Sequence, residues 1–128
     1  MRYPTPLTTE TMDPQPTTER RLQPLRIPSG FKIEWNEFYA YDPSTEYDEK
    51  DHLHYLTEDL LQLKYHQEEL VVDLGWYGDP SRREGYFQLL LLRGLRWEDP
   101  LVRVTSPSLT QITHQLEDLI WKIHDRPT

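Results

Sequence analysis

Apolar and polar residues alternate along Phe31-Lys-Ile-Glu-Trp-Asn36, just after a turn formed by Pro28 and Gly30, and this period of two predicts a half-buried strand. The aromatic residues Phe38, Tyr39 and Tyr41 continue with shifted parity, which places a bulge or the end of the strand near Glu37; Asp42-Pro43 closes the segment. Leu53, Leu56, Leu60 and Leu63 then recur at intervals of three and four, with Glu58, Asp59, Gln62 and Lys64 on other faces. This spacing predicts an amphipathic helix over residues 50–66. Two β-rich runs follow, Leu70–Tyr77 and Tyr86–Arg93, joined by the turn-forming Gly78-Asp-Pro-Ser-Arg-Arg-Glu-Gly85; they predict an antiparallel hairpin. Leu89 to Leu92 are apolar at both parities, so the second of these strands is expected to be central and covered on both faces.

A shorter strand is expected at Leu101–Thr105, and a second helix after it. Ser106 can cap that helix, Pro107 suits its first position, and Ser108 with Gln111 offers an alternative capping box. Leu109, Ile112, Leu116, Leu119, Ile120 and Ile123 form its apolar face. The expectation is an α+β domain: an antiparallel sheet of about four strands carrying two helices, in the order β-α-β-β-β-α. The neighbour of the first strand is not readable from the pattern.

Composition changes this picture mainly at the start of the chain. Residues 1–30 hold six of the eleven prolines and six threonines without strand or helix periodicity. Residues 1–26 therefore read as an extended leader, and residues 27–128 as a single domain. The leader has neither the apolar run of a secretion signal nor that of a membrane span, which points to a soluble, cytoplasmic protein. With no cysteine, disulfides, thiolate metal sites and cysteine nucleophiles are excluded. Over residues 1–30 four arginines face three acids, +1, so the other 98 residues carry −9 of the total of −8. Such a field repels nucleic acid and anionic membranes and steers basic proteins inward.

The densest chemistry is "YDPSTEYDEKDHLHY", residues 41–55, with five carboxylates, two histidines and three tyrosines. As a metal site it is poorly composed. His52 and His54 would lie about 200° apart on a helix, and the acids lack the spacing of a calcium loop. His66 is too distant along a helix to converge with His54. As a solvated loop, Asp48, Glu49 and Asp51 would meet the N-terminus of the helix dipole. As an interface, Tyr41, Asp42, Glu46, Tyr47, Asp48, Glu49, Asp51 and Tyr55 form a mixed acid and tyrosine surface suited to arginines and lysines of a partner protein.

Catalytic constellations are weaker. Ser81, Ser106 and Ser108 fall at a turn and a helix cap, and no Gly-x-Ser-x-Gly elbow occurs. His114 and His124 sit ten residues apart on the last helix. Glu34 with Glu37, or Asp73 alone in an apolar strand, could serve acid-base chemistry in a pocket; Asp73 shares parity with Val71 and Gly75 and is expected to face solvent. Arg82-Arg83 is too small a basic patch for nucleic acid. Trp76, Tyr77 and Trp97, next to loops, fit either lids on a core or partner anchors.

Taken together, the Trp-rich meander "DLGWY" and "GYFQLLLLRGLRWEDPL", the strand "FKIEWNEFY" and the acidic strand-helix loop resemble the immunity proteins of bacterial polymorphic and contact-dependent toxin systems. The likeness spans residues 27–124. It implies a non-enzymatic inhibitor, without cofactor or metal, that binds one cognate toxin domain, often a basic nuclease, by occlusion. Alternatives are an adaptor or subunit that wraps a neighbour with its leader and pairs its sheet edge with another chain, and a small metal-dependent hydrolase using the histidines and carboxylates of residues 41–55.

Overall fold

A computed structural model of the chain describes residues 15–65, 69–79 and 84–126. Its strands are β1 (Phe31–Asn36), β2 (Leu61–Tyr65), β3 (Leu70–Asp79), β4 (Glu84–Arg93) and β5 (Val102–Ser106). Its helices are α1 (Glu49–Tyr55), between β1 and β2, and α2 (Leu109–His124), after β5. The strands form one antiparallel sheet in the sequential order β1-β2-β3-β4-β5. Among the described residues the class is α+β with two helices, and the sheet has five strands rather than about four.

The extra strand comes from the second half of the predicted helix. Leu53, Leu56, Leu60 and Leu63 fit a helical stripe, but Leu61, Leu63 and Tyr65 also alternate with Gln62 and Lys64. The sheet decides between the two readings. Leu56 turns extended (φ −110°, ψ 100°), and the chain then bonds to β3: the Trp76 amide donates to the Thr57 carbonyl and the Leu60 amide to the Leu74 carbonyl. β2 thereby fills the place between β1 and β3, with Leu61 opposite Leu74 and Leu63 opposite Val72. Residues 70–74 of β3 gain a second hydrogen-bonded edge, which a longer α1 could not provide. Leu53, left beyond the sheet, is 45% exposed.

One face of the sheet carries the main core. Leu61, Leu63, Leu70, Val72, Leu74, Trp76, Phe87, Leu89 and Leu91 pack against Leu109, Ile112, Leu116, Ile120 and Ile123 of α2. The helix lies at this face because its apolar residues recur at three and four, as expected. Ser108 is its cap and accepts from the Gln111 amide; the Ser106 hydroxyl accepts from the Ser108 amide and donates to the Gln111 side chain. On the other face Val71, Leu90 and Leu92 form a smaller buried cluster, so β4 is an interior strand, between β3 and β5, and is buried on both faces, as its run of leucines implied.

β1 departs from its pattern. Its register against β2 jumps between Ile33 and Trp35, leaving Glu34 as the extra residue of a bulge. The shift turns Trp35 to the side opposite Ile33, and the two are 37% and 48% exposed. The strand ends at Asn36, next to Glu37 as expected, while the bulge falls inside it and the expected half-burial is not found. No helix among the described residues is long and apolar enough to cross a membrane.

Candidate acidic interface

The acidic loop is built from its helix outward. Asp48 is the extended N-cap of α1, and its Oδ1 accepts from the Lys50 and Asp51 amides at 3.0 Å each. These bonds, with a further one from the Thr17 hydroxyl, hold its carboxyl below the usual range, against a small opposing effect of burial. Asp42 accepts from the amide and hydroxyl of Ser44, and also from the Leu109 amide at 3.2 Å. One acid of the loop therefore closes its own turn and meets the N-terminus of α2.

The leader occupies the rest of the loop. Residues 21–23 run beside residues 38–40, with a bridge between Leu22 and Tyr39; the Gln23 amide donates to the Phe38 carbonyl and the Ala40 amide to the Arg21 carbonyl. Upstream, Asp51 is fully buried, and its Oδ1 accepts from the amides of Thr17 (2.7 Å) and Thr18 (3.2 Å). The Tyr55 hydroxyl donates to the Thr18 carbonyl and accepts from the Arg20 amide. Arg20 makes a bidentate pair with Glu46 at 3.0 Å and reaches Asp51 at 3.1 Å. Its guanidinium lies 4.8 Å from the centre of the Tyr41 ring. Burial opposes its charge, but the hydrogen bonds and charges of Glu46 and Asp51 outweigh that, so its pKa is raised.

The eight residues of the expected interface therefore divide. Tyr41, Asp51 and Tyr55 are buried, Asp42 and Asp48 are half-buried, and Glu46, Tyr47 and Glu49 are exposed. Tyr41 receives the Asp48 amide on its hydroxyl, and burial pushes its pKa up. The solvent-facing part is completed by residues that the loop's composition did not mark: Leu53, Glu58 and Asp59, all exposed. Glu49, Glu58 and Asp59 enter no ion pair among the described residues. A cavity of about 160 Å³ beside Leu53 is lined by His52, Leu56, Glu58, Trp76 and Gly78 as well. Arg20, Thr17 and Thr18 were missed as site residues because the leader has no periodicity; their only signal was that an Arg-bearing, proline-rich segment precedes an acidic one.

The two histidines of the stretch diverge. His52 is buried, with its ring edge-on to Trp76 at 5.8 Å and near Tyr47 at 5.4 Å. His54 stands perpendicular to Tyr55 at 4.7 Å. Among the described residues no group of three or more His, Asp or Glu side chains converges as a metal site would require; His66 lies outside them, as do Ser81, Arg82 and Arg83. His114, Glu34 and Glu37 are exposed. His124 bridges two neighbours, its Nε2 3.4 Å from Ser29 Oγ and its Nδ1 2.9 Å from Asp125 Oδ1. That order resembles a nucleophile, a base and an orienting acid. These bonds are surface-exposed, and they tie the Pro28–Gly30 turn to the end of α2.

Asp73 is not solvent-facing. It is 4% exposed, takes a hydrogen bond from Gln62 at 3.1 Å, and has its pKa raised by burial. Its face is the one with Val71, Leu90 and Leu92, whose cover the strand pattern did not reveal. Tyr77, half-buried nearby, is also raised, first by burial and then by the charges of Asp73, Glu58 and Asp59. Trp76 is a buried part of the core, whereas Trp97 is exposed.

Comparison of the chain with family models, with curated proteins and with solved structures finds no match.

Proposed function

We propose that the protein is a non-enzymatic binding module that docks on a basic protein through the outer surface of α1 and the loop before it. The observation that carries this reading is the exposure of Tyr47 and Leu53 among the carboxylates of Glu49, Glu58 and Asp59. A rigid ring and an aliphatic side chain supply contact area, and the surrounding acids choose a cationic partner. The leader supports the reading in a second way: by neutralising Asp51 and holding Tyr41 and Tyr55, it fixes α1 in place, so its surface is presented without further ordering cost. The partner class is a basic toxin domain, in keeping with the resemblance to immunity proteins, and the action is occlusion in the cytoplasm.

In the adaptor alternative the leader wraps a neighbour; among its described residues Thr17, Thr18 and Arg20 to Gln23 bond to the chain's own domain, which favours the first reading. The hydrolase alternative relied on convergence of His52 and His54, whose rings pack on different aromatic neighbours.

The test is affinity capture from native cells at low salt, followed by reconstitution of the purified pair and assay of the partner's activity. A basic partner bound near one to one, released by salt and inhibited in the complex is the expected result. A partner whose binding ignores salt, or whose activity survives in the complex, overturns the reading.

A further inference from the structure

We infer that β1 is a self-pairing edge, through which two copies of this chain join their sheets about a two-fold axis. Within the described residues β1 is hydrogen-bonded to β2 on one side, and its four central residues, Lys32 to Trp35, are all exposed. Among the described residues the leader borders the chain after β1, at Leu22 and Tyr39, and then leaves toward α2, where Arg26 meets Glu117 and Trp121. An open edge with an exposed isoleucine and tryptophan is a template for another strand unless its charges forbid pairing.

Here the charges select a partner. In an antiparallel pairing with Ile33 opposite Ile33 of the second copy, Lys32 of each chain lies opposite Glu34 of the other. The interface then holds two Lys–Glu pairs around an apolar centre, and it is isologous, as a two-fold contact requires. Lys32 gains most, because on its other side it stands opposite Lys64 of β2, a like-charge neighbour. Its present link to Glu34 of the same chain is loose, 3.8 Å, with the Lys32 side chain largely exposed. The bulge contributes as well: it turns Trp35 to the Lys32 side of the sheet, next to Glu34 and within diagonal reach of Lys32 of the second copy. The opposite edge lacks this complementarity. β5 is flanked by Pro100 and Pro107, and the same operation about Val104 would set Arg103 opposite Thr105.

Sedimentation of the full chain between about 1 and 200 µM tests the inference. The weight-average mass should rise from the 15.4 kDa of one chain toward twice that value. Lys32→Glu alone and Glu34→Lys alone each place like charges across the axis, and each should remain monomeric over that range. An equimolar mixture of these two variants restores both pairs in a heterodimer and should regain the mass of the parent. So should the double swap Lys32→Glu with Glu34→Lys. A parent chain that stays at one chain's mass overturns the inference, and so does a dimer indifferent to the single swaps or a mixture that does not associate.

Discussion

Arg20 and Asp51 stand 31 residues apart in the chain, and the guanidinium of one meets the carboxylate of the other at 3.1 Å with Asp51 fully buried. The contact explains how a proline-rich segment without periodicity becomes part of the domain. Two Asp51 oxygens take two leader amides and one Arg20 nitrogen, so the buried charge is both paired and hydrogen-bonded.

Removing either partner leaves the other uncompensated. Asp51→Ala and Arg20→Ala are each expected to cost about 2–4 kcal/mol in denaturant unfolding, and to hasten proteolytic cleavage within residues 15–26. The double variant should cost less than the sum, by about 1 kcal/mol or more. Strict additivity would show that the two residues stabilise the fold independently.

Asp73 makes stability fall as pH rises through the acid range. Burial lifts its folded pKa above the ordinary 3.8, Asp59 adds to this, and the Gln62 hydrogen bond opposes it. The folded state therefore binds this proton more tightly than the unfolded chain, and the cost is complete once pH exceeds the folded pKa. Asp73→Asn keeps an acceptor for Gln62 and removes the charge. It should raise the melting temperature at pH 7 by roughly 3–6 °C, with the gain shrinking to nothing below pH 3.8. A gain that persists at pH 3 would assign the effect to packing.

Asp48 acts in the opposite sense. Its pKa is held below 3.8 by the Asp51 amide, the Thr17 hydroxyl and the Lys50 amide, so its contribution is present above pH 3.8 and is lost as pH falls through the lower, folded value. Asp48→Ala should lower the melting temperature at pH 7, and the difference from the parent should narrow in strong acid as the parent's carboxyl protonates. A difference that is constant with pH would show that charge at this cap is immaterial.

Gly75 lies in β3 where the backbone of Glu58 crosses it, and a Cβ there would strike the Glu58 carbonyl. Gly75→Ala must push away the segment that links α1 to β2, and is expected to cost about 2–4 kcal/mol. It should also alter the tryptophan emission, since Trp76 bonds to Thr57 in the same segment. Neutral behaviour in both would mean that the segment gives way without penalty.

At the proposed interface, exposed residues allow binding to be separated from folding. Glu49→Lys with Glu58→Lys should slow association with the captured partner about tenfold at low salt and flatten its salt dependence. Leu53→Asp should act mainly on dissociation. All three substitutions should leave the melting temperature within about 2 °C. Unchanged kinetics would move the interface elsewhere on the chain.

Several elements were legible because local and tertiary preferences agree. The α2 stripe, the β3–β4 hairpin and the double burial of Leu89 to Leu92 follow from period and turn chemistry, which are properties of neighbouring residues; of the two caps these allowed for α2, the structure takes Ser108 rather than Ser106 with Pro107. Residues 53–65 were not legible in the same way. Their leucines satisfy a helical and an alternating pattern at once, and only the empty edge of β3 selects the strand. Asp73 was misplaced for a related reason: parity assigns a side chain to a face, but not what covers that face.

The sequence by itself determined the α+β class, the order of most elements and the acidic character of residues 41–55, because these depend on spacing and composition. Only the tertiary structure decided which of these acids are already engaged within the fold. Asp51 is neutralised by Arg20, Asp42 is turned to the N-terminus of α2, and Glu46 is paired with the leader. Charge is counted along a chain, but desolvation and pairing depend on which distant groups folding brings within a few ångströms.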